Sequence, residues 1–310
     1  MKRFIIKTIS FLFVLFSFLL LVDYPFSEYQ QKSGDVFTEA WYDVMHGEVL
    51  SDIVVMGSSR AMVMVSPAIL DSILNQDTYN LGIEGGPIDR QVMKYNMYRR
   101  YNKKPKLIVQ NIDAWLLQSN KGYEREQFFP YFWDRSFRRE LFRIEKISIA
   151  EKFFPCYRYF GYTPSHLFKS QQCSLYKGYS ERDATWNGTA YSQVDSCVFR
   201  IDNELDIIFN NYLAHVMDDG IKILFVYAPL YVGAQEKISN EKEMRDYYVQ
   251  CALKYDIPIL DYSNMDICSD TTCFYNAMHL NKKGAELYSA RLAEDIDDYL
   301  KTDSVLEKLK

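Results

Sequence analysis

The chain has 310 residues, 48% of them hydrophobic and 25% charged, which is ordinary for a globular protein. The net charge of −5 gives no sign of the clustered basic surface that a nucleic-acid partner requires. The outlier is an aromatic content of 16%, and these rings are unevenly spread.

The first 22 residues read MKRFIIKTISFLFVLFSFLLLV. Lys2, Arg3 and Lys7 form a basic front, and Thr8 to Val22 is an uncharged, mostly apolar run that Asp23 ends. Extended back to Phe4, the run approaches the ~20 residues a bilayer span requires. An uncleaved signal anchor and a cleaved signal peptide both fit. The bulky Leu20, Val22 and Tyr24 leave no clear small-residue cleavage site. In either case the basic front places the remainder outside the cytoplasm. The expected location is therefore the cell inner membrane, single-pass, with a periplasmic domain.

Six cysteines suit an oxidising compartment. Cys268 and Cys273 are spaced to bridge one loop, while Cys156, Cys173, Cys197 and Cys251 offer further pairings that spacing does not fix. Zinc is a weak reading: there is no CxxC pair, and the histidines are only His46, His166, His215 and His279. No metal and no cofactor are expected.

Residues 23–50 read as a juxtamembrane linker with one short helix around Val36–Met45. Short apolar runs then recur at Asp52–Met56, Tyr79–Leu81, Leu107–Val109, Ile221–Tyr227 and Ile257–Leu260. Such runs suit strands buried on both faces. Helical stretches lie between them. Ser66-Pro67 is a helix start, and Ile88–Tyr101, Asn203–Met217, Glu241–Tyr255 and Lys283–Leu300 continue the series. Alternating strands and helices predict an α/β fold with a parallel, doubly wound, five-stranded sheet. In such sheets ligands bind at the carboxyl ends of the strands.

One stretch breaks this rhythm. Between Tyr123 and Phe199 lie 20 of the 49 aromatic residues, with Arg135, Arg138, Arg139 and Arg143 among them. It is too long for a simple connection and predicts a mostly helical, aromatic-rich insertion at 115–200. A packing subdomain is one reading. A surface for a glycan, a lipid or a membrane partner is the other. The sequon Asn187-Gly188-Thr189 carries little weight. The main domain is expected over 51–300, with a tail at 301–310.

The chemistry-bearing residues sit at the two ends of that domain. Strand one ends in Gly57-Ser58-Ser59-Arg60. A serine nucleophile needs a tight, exposed turn, a base and oxyanion donors, and Gly57 permits the turn. A Gly-Ser loop alone equally suits a phosphate. His279, in Asn276-Ala277-Met278-His279-Leu280-Asn281, precedes the last helix and is expected on the same sheet edge.

Together these blocks resemble the SGNH/GDSL-like hydrolase superfamily over roughly residues 51–300, the insertion excepted. Gly57-Ser58-Ser59 matches its nucleophile block, and Asn80-Leu81-Gly82 its oxyanion glycine. Asn111 matches its oxyanion asparagine, although the usual Gly-x-Asn-Asp context is absent. His279, Leu280, Asn281 and Gly284 match its histidine block. The resemblance implies a flavodoxin-like, three-layer α/β/α fold. In it Ser59 is the nucleophile, His279 the base, and Gly82 and Asn111 the oxyanion donors. The GSSR form and the N-terminal anchor also resemble extracytoplasmic members that accompany membrane-bound O-acyltransferases in cell-envelope polysaccharide O-acylation.

The departure is Asn276. It stands three residues before His279, where the family has an aspartate. That carboxylate would fix the histidine tautomer and stabilise the imidazolium. Three outcomes are open: a Ser-His dyad oriented by Asn276 or a backbone carbonyl, a substitute acid among Asp113, Asp261, Asp266 and Asp270, or a degenerate, non-catalytic relative.

The expected function is a serine esterase or O-acyltransferase acting on acylated cell-envelope glycans, with a membrane-bound O-acyltransferase as partner. The alternative is a non-catalytic binding or assembly protein of a polysaccharide acylation system. Arg60, beside the nucleophile, is a candidate for steering an anionic substrate, with a surface or structural ion pair as its other reading. A phosphate-cradling nucleotide domain lacks GxGxxG and a P-loop lysine.

Overall fold

The computed structural model describes residues 1–32, 36–119, 125–161, 175–188 and 196–308. Helices α1 (Lys2–Gln31) and α2 (Val36–His46) precede strand β1 (Ile53–Met56). Helices α3 (Ser59–Met64) and α4 (Pro67–Leu74) lead to β2 (Thr78–Asn80), and α5 (Ile88–Tyr101) leads to β3 (Leu107–Ile112). A 3-10 turn at Arg125–Tyr131, α6 (Arg135–Ile144) and α7 (Ile149–Phe153) follow, then a small hairpin of β4 (Leu175–Tyr176) and β5 (Tyr179–Ser180). Helix α8 (Asn203–Asp218), β6 (Lys222–Tyr227), α9 (Val232–Gln235), α10 (Glu241–Tyr255) and β7 (Ile259–Asp261) restore the alternation. A second hairpin, β8 (Phe274–Asn276) and β9 (His279–Leu280), precedes α11 (Lys282–Lys308).

The chain divides into two compact units: residues 1–43 with 121–173, and residues 44–120 with 174–310. In the larger unit the five-stranded sheet has the order β2-β1-β3-β6-β7. Every pairing in it is parallel, with Val54 of β1 opposite Tyr79 of β2 and Ile108 of β3. Every residue of β1 and β3 is buried, as a sheet covered on both faces requires. This is the doubly wound α/β architecture that the alternation of apolar runs predicts. The return limb of the insertion, at 175–188, belongs to this unit. The Asn80 N–H donates to Lys177 O at 2.9 Å, and a Cβ on Gly178 would lie 1.9 Å from Asn80 O, so glycine is required there.

The smaller unit is helical in its described part. Trp41, fully buried, has its ring 5.2 Å from Phe137 and 5.7 Å from Phe128, and its Nε1–H donates to Gln127 Oε1 at 3.2 Å. Here α1 does not stop at the end of the apolar run but continues through Asp23 and Pro25 to Gln31. A distant partner makes this possible. The Arg158 guanidinium donates to both Asp23 oxygens, at 2.8 and 2.5 Å, and to Ser27 Oγ at 2.8 Å. Residues 301–308, expected as a tail, continue helix α11.

The expected Cys268–Cys273 bridge is absent. Among the described residues Cys156, Cys197, Cys251, Cys268 and Cys273 are free thiols. Cys268 Sγ faces Tyr262 O at 3.6 Å, and Cys273 Sγ faces Asp270 Oδ2 at 3.4 Å. Each sulfur has its own acceptor rather than the other as partner. Cys173 and His166 lie outside the described residues.

Candidate active site

At the carboxyl end of β1 the chain turns through Gly57 into α3. A Cβ on Gly57 would come within 2.5 Å of Ala61 Cβ and 2.9 Å of Asn111 Cβ, so only glycine fits. Ser58 caps the helix, its Oγ accepting from Arg60 N at 3.3 Å. Ser59, the first helical residue, is left half-buried with its hydroxyl at the strand's carboxyl edge.

The opposite side of the site comes from the β8–β9 hairpin. Asn281 fastens it: its Nδ2 donates to Thr272 O at 2.8 Å and Phe274 O at 3.3 Å, while its Oδ1 accepts from Gly284 N at 3.1 Å. A Cβ on Gly284 would lie 2.2 Å from Cys273 O. The Asn281 position is thus explained by the backbone groups its amide holds, and the Gly284 position by backbone crowding. Helix α11 is tied to the Ser59 side through Ser289. Its hydroxyl donates to Met64 O at 3.3 Å and accepts from Ser66 N at 2.9 Å. Ser66 starts α4 without a side-chain cap.

These two sides bring Ser59 Oγ and His279 Nε2 to 2.9 Å. The other ring nitrogen, Nδ1, is 3.0 Å from Asn276 Oδ1. That same oxygen accepts the backbone N–H of Met278 at 2.9 Å and of His279 at 3.0 Å. Two backbone donors identify the atom as the carbonyl oxygen, so Nδ1 carries the proton and Nε2 presents its lone pair to Ser59. The tautomer is the one a general base needs.

The charge is different from that of a triad. Burial pushes the His279 pKa down to about 3, and the positive charges of Arg60 and Arg182 push the same way. Among the described residues no carboxylate is hydrogen-bonded to the ring. Asp261 is paired with Arg245, Asp270 with Lys283, and Asp113 faces Arg60 and Ser58. Asp266 opens a 3-10 turn. Burial raises the Asp113 pKa to about 6 although Arg60 lowers it.

The expected oxyanion residues differ from one another. Gly82 backs closely onto α3, where an added Cβ would lie 2.4 Å from Met62 N. Its N–H, however, donates to Asn80 Oδ1 at 2.8 Å and is already engaged. Asn80 is held in turn by Ala61 O at 2.7 Å and Val65 O at 2.8 Å. Asn111 is 3% exposed, and neither its Nδ2 nor its Oδ1 has a hydrogen-bond partner. A buried, unpaired amide is costly and is available to a ligand.

Arg60 is not a surface residue awaiting substrate. It is 1% exposed, donates to Ala228 O at 3.0 Å and Pro229 O at 2.6 Å, and lies 5.1 Å from the centre of the Trp115 ring. Its Asp113 contact is 4.0 Å. The guanidinium serves as an internal brace, which is the structural reading of its position.

Two neighbours had no signal in the sequence. Tyr275 stacks on the His279 ring at 5.3 Å and 19°. Arg182 comes from the return limb of the insertion, where its carbonyl accepts from Lys282 N at 2.6 Å. Its charge acts on His279, Tyr275 and Glu84. Nothing local to Arg182 marks it, because the site is assembled across a long separation.

No family profile matches the chain, and no curated protein matches it. Solved structures do. One, described as a lipolytic protein of the G-D-S-L family from Desulfitobacterium hafniense DCB-2, is 12% identical with a TM-score of 0.42, covering 78% of this chain and 97% of its own. The acetyl xylan esterase AlAXEase is 10% identical with a TM-score of 0.41, covering 79% and 96%. A structure from Bacteroides fragilis NCTC 9343, described as an acylhydrolase, is 11% identical with a TM-score of 0.39, covering 79% and 87%. The α/β fold rests on the chain's own sheet, and the chemistry of its site on its own residues.

Proposed function

We propose that the chain is a membrane-anchored serine esterase or O-acyltransferase acting on acylated cell-envelope glycans outside the cytoplasm. The observation that carries the reading is the Ser59 Oγ to His279 Nε2 approach of 2.9 Å, with Nδ1 held by Asn276 at 3.0 Å. Ser59 Oγ attacks an ester carbonyl and its proton passes to Nε2. The developing oxyanion meets the unpaired Asn111 amide and the N–H of Ser59 at the start of α3. The alkoxide leaves with the proton from Nε2, and an acyl-Ser59 remains. Water then yields a carboxylic acid, or a sugar hydroxyl yields a new ester, with His279 again taking the attacking proton. A membrane-bound O-acyltransferase as acyl donor fits the transfer branch.

Helix α1 is long and apolar enough to cross a membrane, and its basic front supports an N-terminus in the cytoplasm. The test is turnover of 4-nitrophenyl acetate by the full chain in micelles. Ser59→Ala and His279→Ala are expected to lose at least about a hundredfold in kcat/KM. Equal rates in all three would contradict the reading.

A second reading, a non-catalytic binding protein of the same acylation system, is favoured by one observation. Asn276 supplies no charge to the imidazolium, and His279 is a weak base. It predicts glycan binding that survives Ser59→Ala without any turnover.

A further inference from the structure

The smaller unit carries a run of large apolar side chains that its core does not absorb. Ile149 is 76% exposed, Phe153 68%, Phe154 57%, Tyr157 45% and Phe160 80%. They are contiguous in the chain, over α7 and the turn after it, and the Tyr157 and Phe160 rings stack at 5.8 Å and 10°. A patch of this kind marks a contact surface. Its place beside α1 indicates which one. Cys156 Sγ lies 3.7 Å from Leu19 O, and Arg158 grips Asp23. The turn at the middle of the patch is therefore held between Leu19 and Asp23, at the outer end of the apolar run.

From Phe4 to Val22 the helix rises about 28 Å, close to the ~30 Å hydrocarbon core of a bilayer. Leu19 lies one helical turn, about 6 Å, on the membrane side of Asp23. Amphipathic segments that lie in the bilayer interface bury their apolar side roughly 5–10 Å deep. The exposed Lys152, with its Nζ 4.7 Å from the Phe142 ring centre, has the long stem and charged tip of a side chain that reaches back to headgroups.

We propose that residues 149–160 form a membrane-interface platform, which lays Ile149, Phe153, Phe154, Tyr157 and Phe160 into the lipid leaflet around the outer end of α1. The inference rests on α1 spanning the bilayer. Its occupant is the lipid acyl region, since the turn within the patch touches the apolar helix at Leu19.

The experiment is tryptophan quenching by brominated phosphatidylcholine. The full chain is reconstituted in nanodiscs as Phe153→Trp, Phe160→Trp and, as a reference inside the span, Val14→Trp, with wild-type emission subtracted. Val14 is 64% exposed in the protein. All three added tryptophans are expected to emit to the blue and to lose roughly half or more of their intensity in the brominated lipid. Quenching at Val14 without quenching at positions 153 and 160 overturns the platform and leaves the span standing. Blue-shifted but unquenched emission at 153 and 160 means that protein covers the patch, which also overturns it. Absent quenching at Val14 removes the span and the platform together.

Discussion

At the scale of single residues, the proposed catalysis turns on Asn276. It does one part of an aspartate's task, because its carbonyl fixes the His279 tautomer while holding two backbone N–H groups. It leaves out the other part, because it brings no negative charge to the imidazolium. The base form is the neutral ring, which persists above the folded-state pKa. kcat/KM is therefore expected to hold as pH falls through 6.5, the ordinary imidazole value. It should decline only toward about 3. Asn276→Asp adds a carboxylate that favours the imidazolium, so the acid limb should move up toward 6.5 or above. The rate on the plateau should rise at least about tenfold. pH–rate profiles of the two proteins check this, and an unmoved limb would contradict the assigned contact. His279, Asn276 and the Asn281–Gly284 block were legible in the sequence because their constraints are local. The state of Gly82 was not, since the Asn80 side chain that occupies its N–H shows no such role in a sequence. Arg60 likewise leaves substrate steering and a structural role both open until the carbonyls of Ala228 and Pro229 are seen around it.

At the scale of elements, strands were easier to read than helix ends. Continuous apolar runs such as IVVM in β1 can satisfy their neighbours on both faces only as buried strands. The end of α1 is different. Asp23 looks like a stop because a charge beside an apolar run is costly, yet Arg158, 135 positions later, cancels it. Such a buried pair is held by mutual need. Asp23→Ala leaves Arg158 uncompensated and is expected to cost about 3–5 kcal/mol in the unfolding of the smaller unit. A double replacement by Asp23→Leu and Arg158→Met should recover most of it, because both charges are gone. Denaturant unfolding of the full chain in micelles measures both. A double variant as unstable as the single one would count against the pair as the source of the effect. The cysteine pairing failed for a related reason: spacing permits a bridge, but the carbonyl and carboxylate that receive the two thiols lie in the loop's own fold.

At the scale of the whole molecule, the doubly wound sheet gathers residues from opposite ends of the sequence at one edge, and the N-terminal helix adds an apolar span. The sheet was readable in the sequence from its alternation. The division of the insertion was not: residues 121–173 join the N-terminal segment, while 175–188 return to the sheet unit. Because α1 runs unbroken from the apolar stretch into the segment held by Arg158, the helix is expected to stay on the mature protein. Intact-mass measurement of the membrane-extracted chain should include residues 1–22, and a mass beginning near Asp23 would contradict retention. The proposed function requires Ser59 to be a nucleophile activated by His279. The most direct measurement is labelling of the folded full chain with a fluorophosphonate, followed by peptide mapping. A single adduct on Ser59, lost in Ser59→Ala and strongly slowed in His279→Ala, is the predicted result. A folded wild-type protein that stays unlabelled, or an adduct that maps elsewhere, would contradict it.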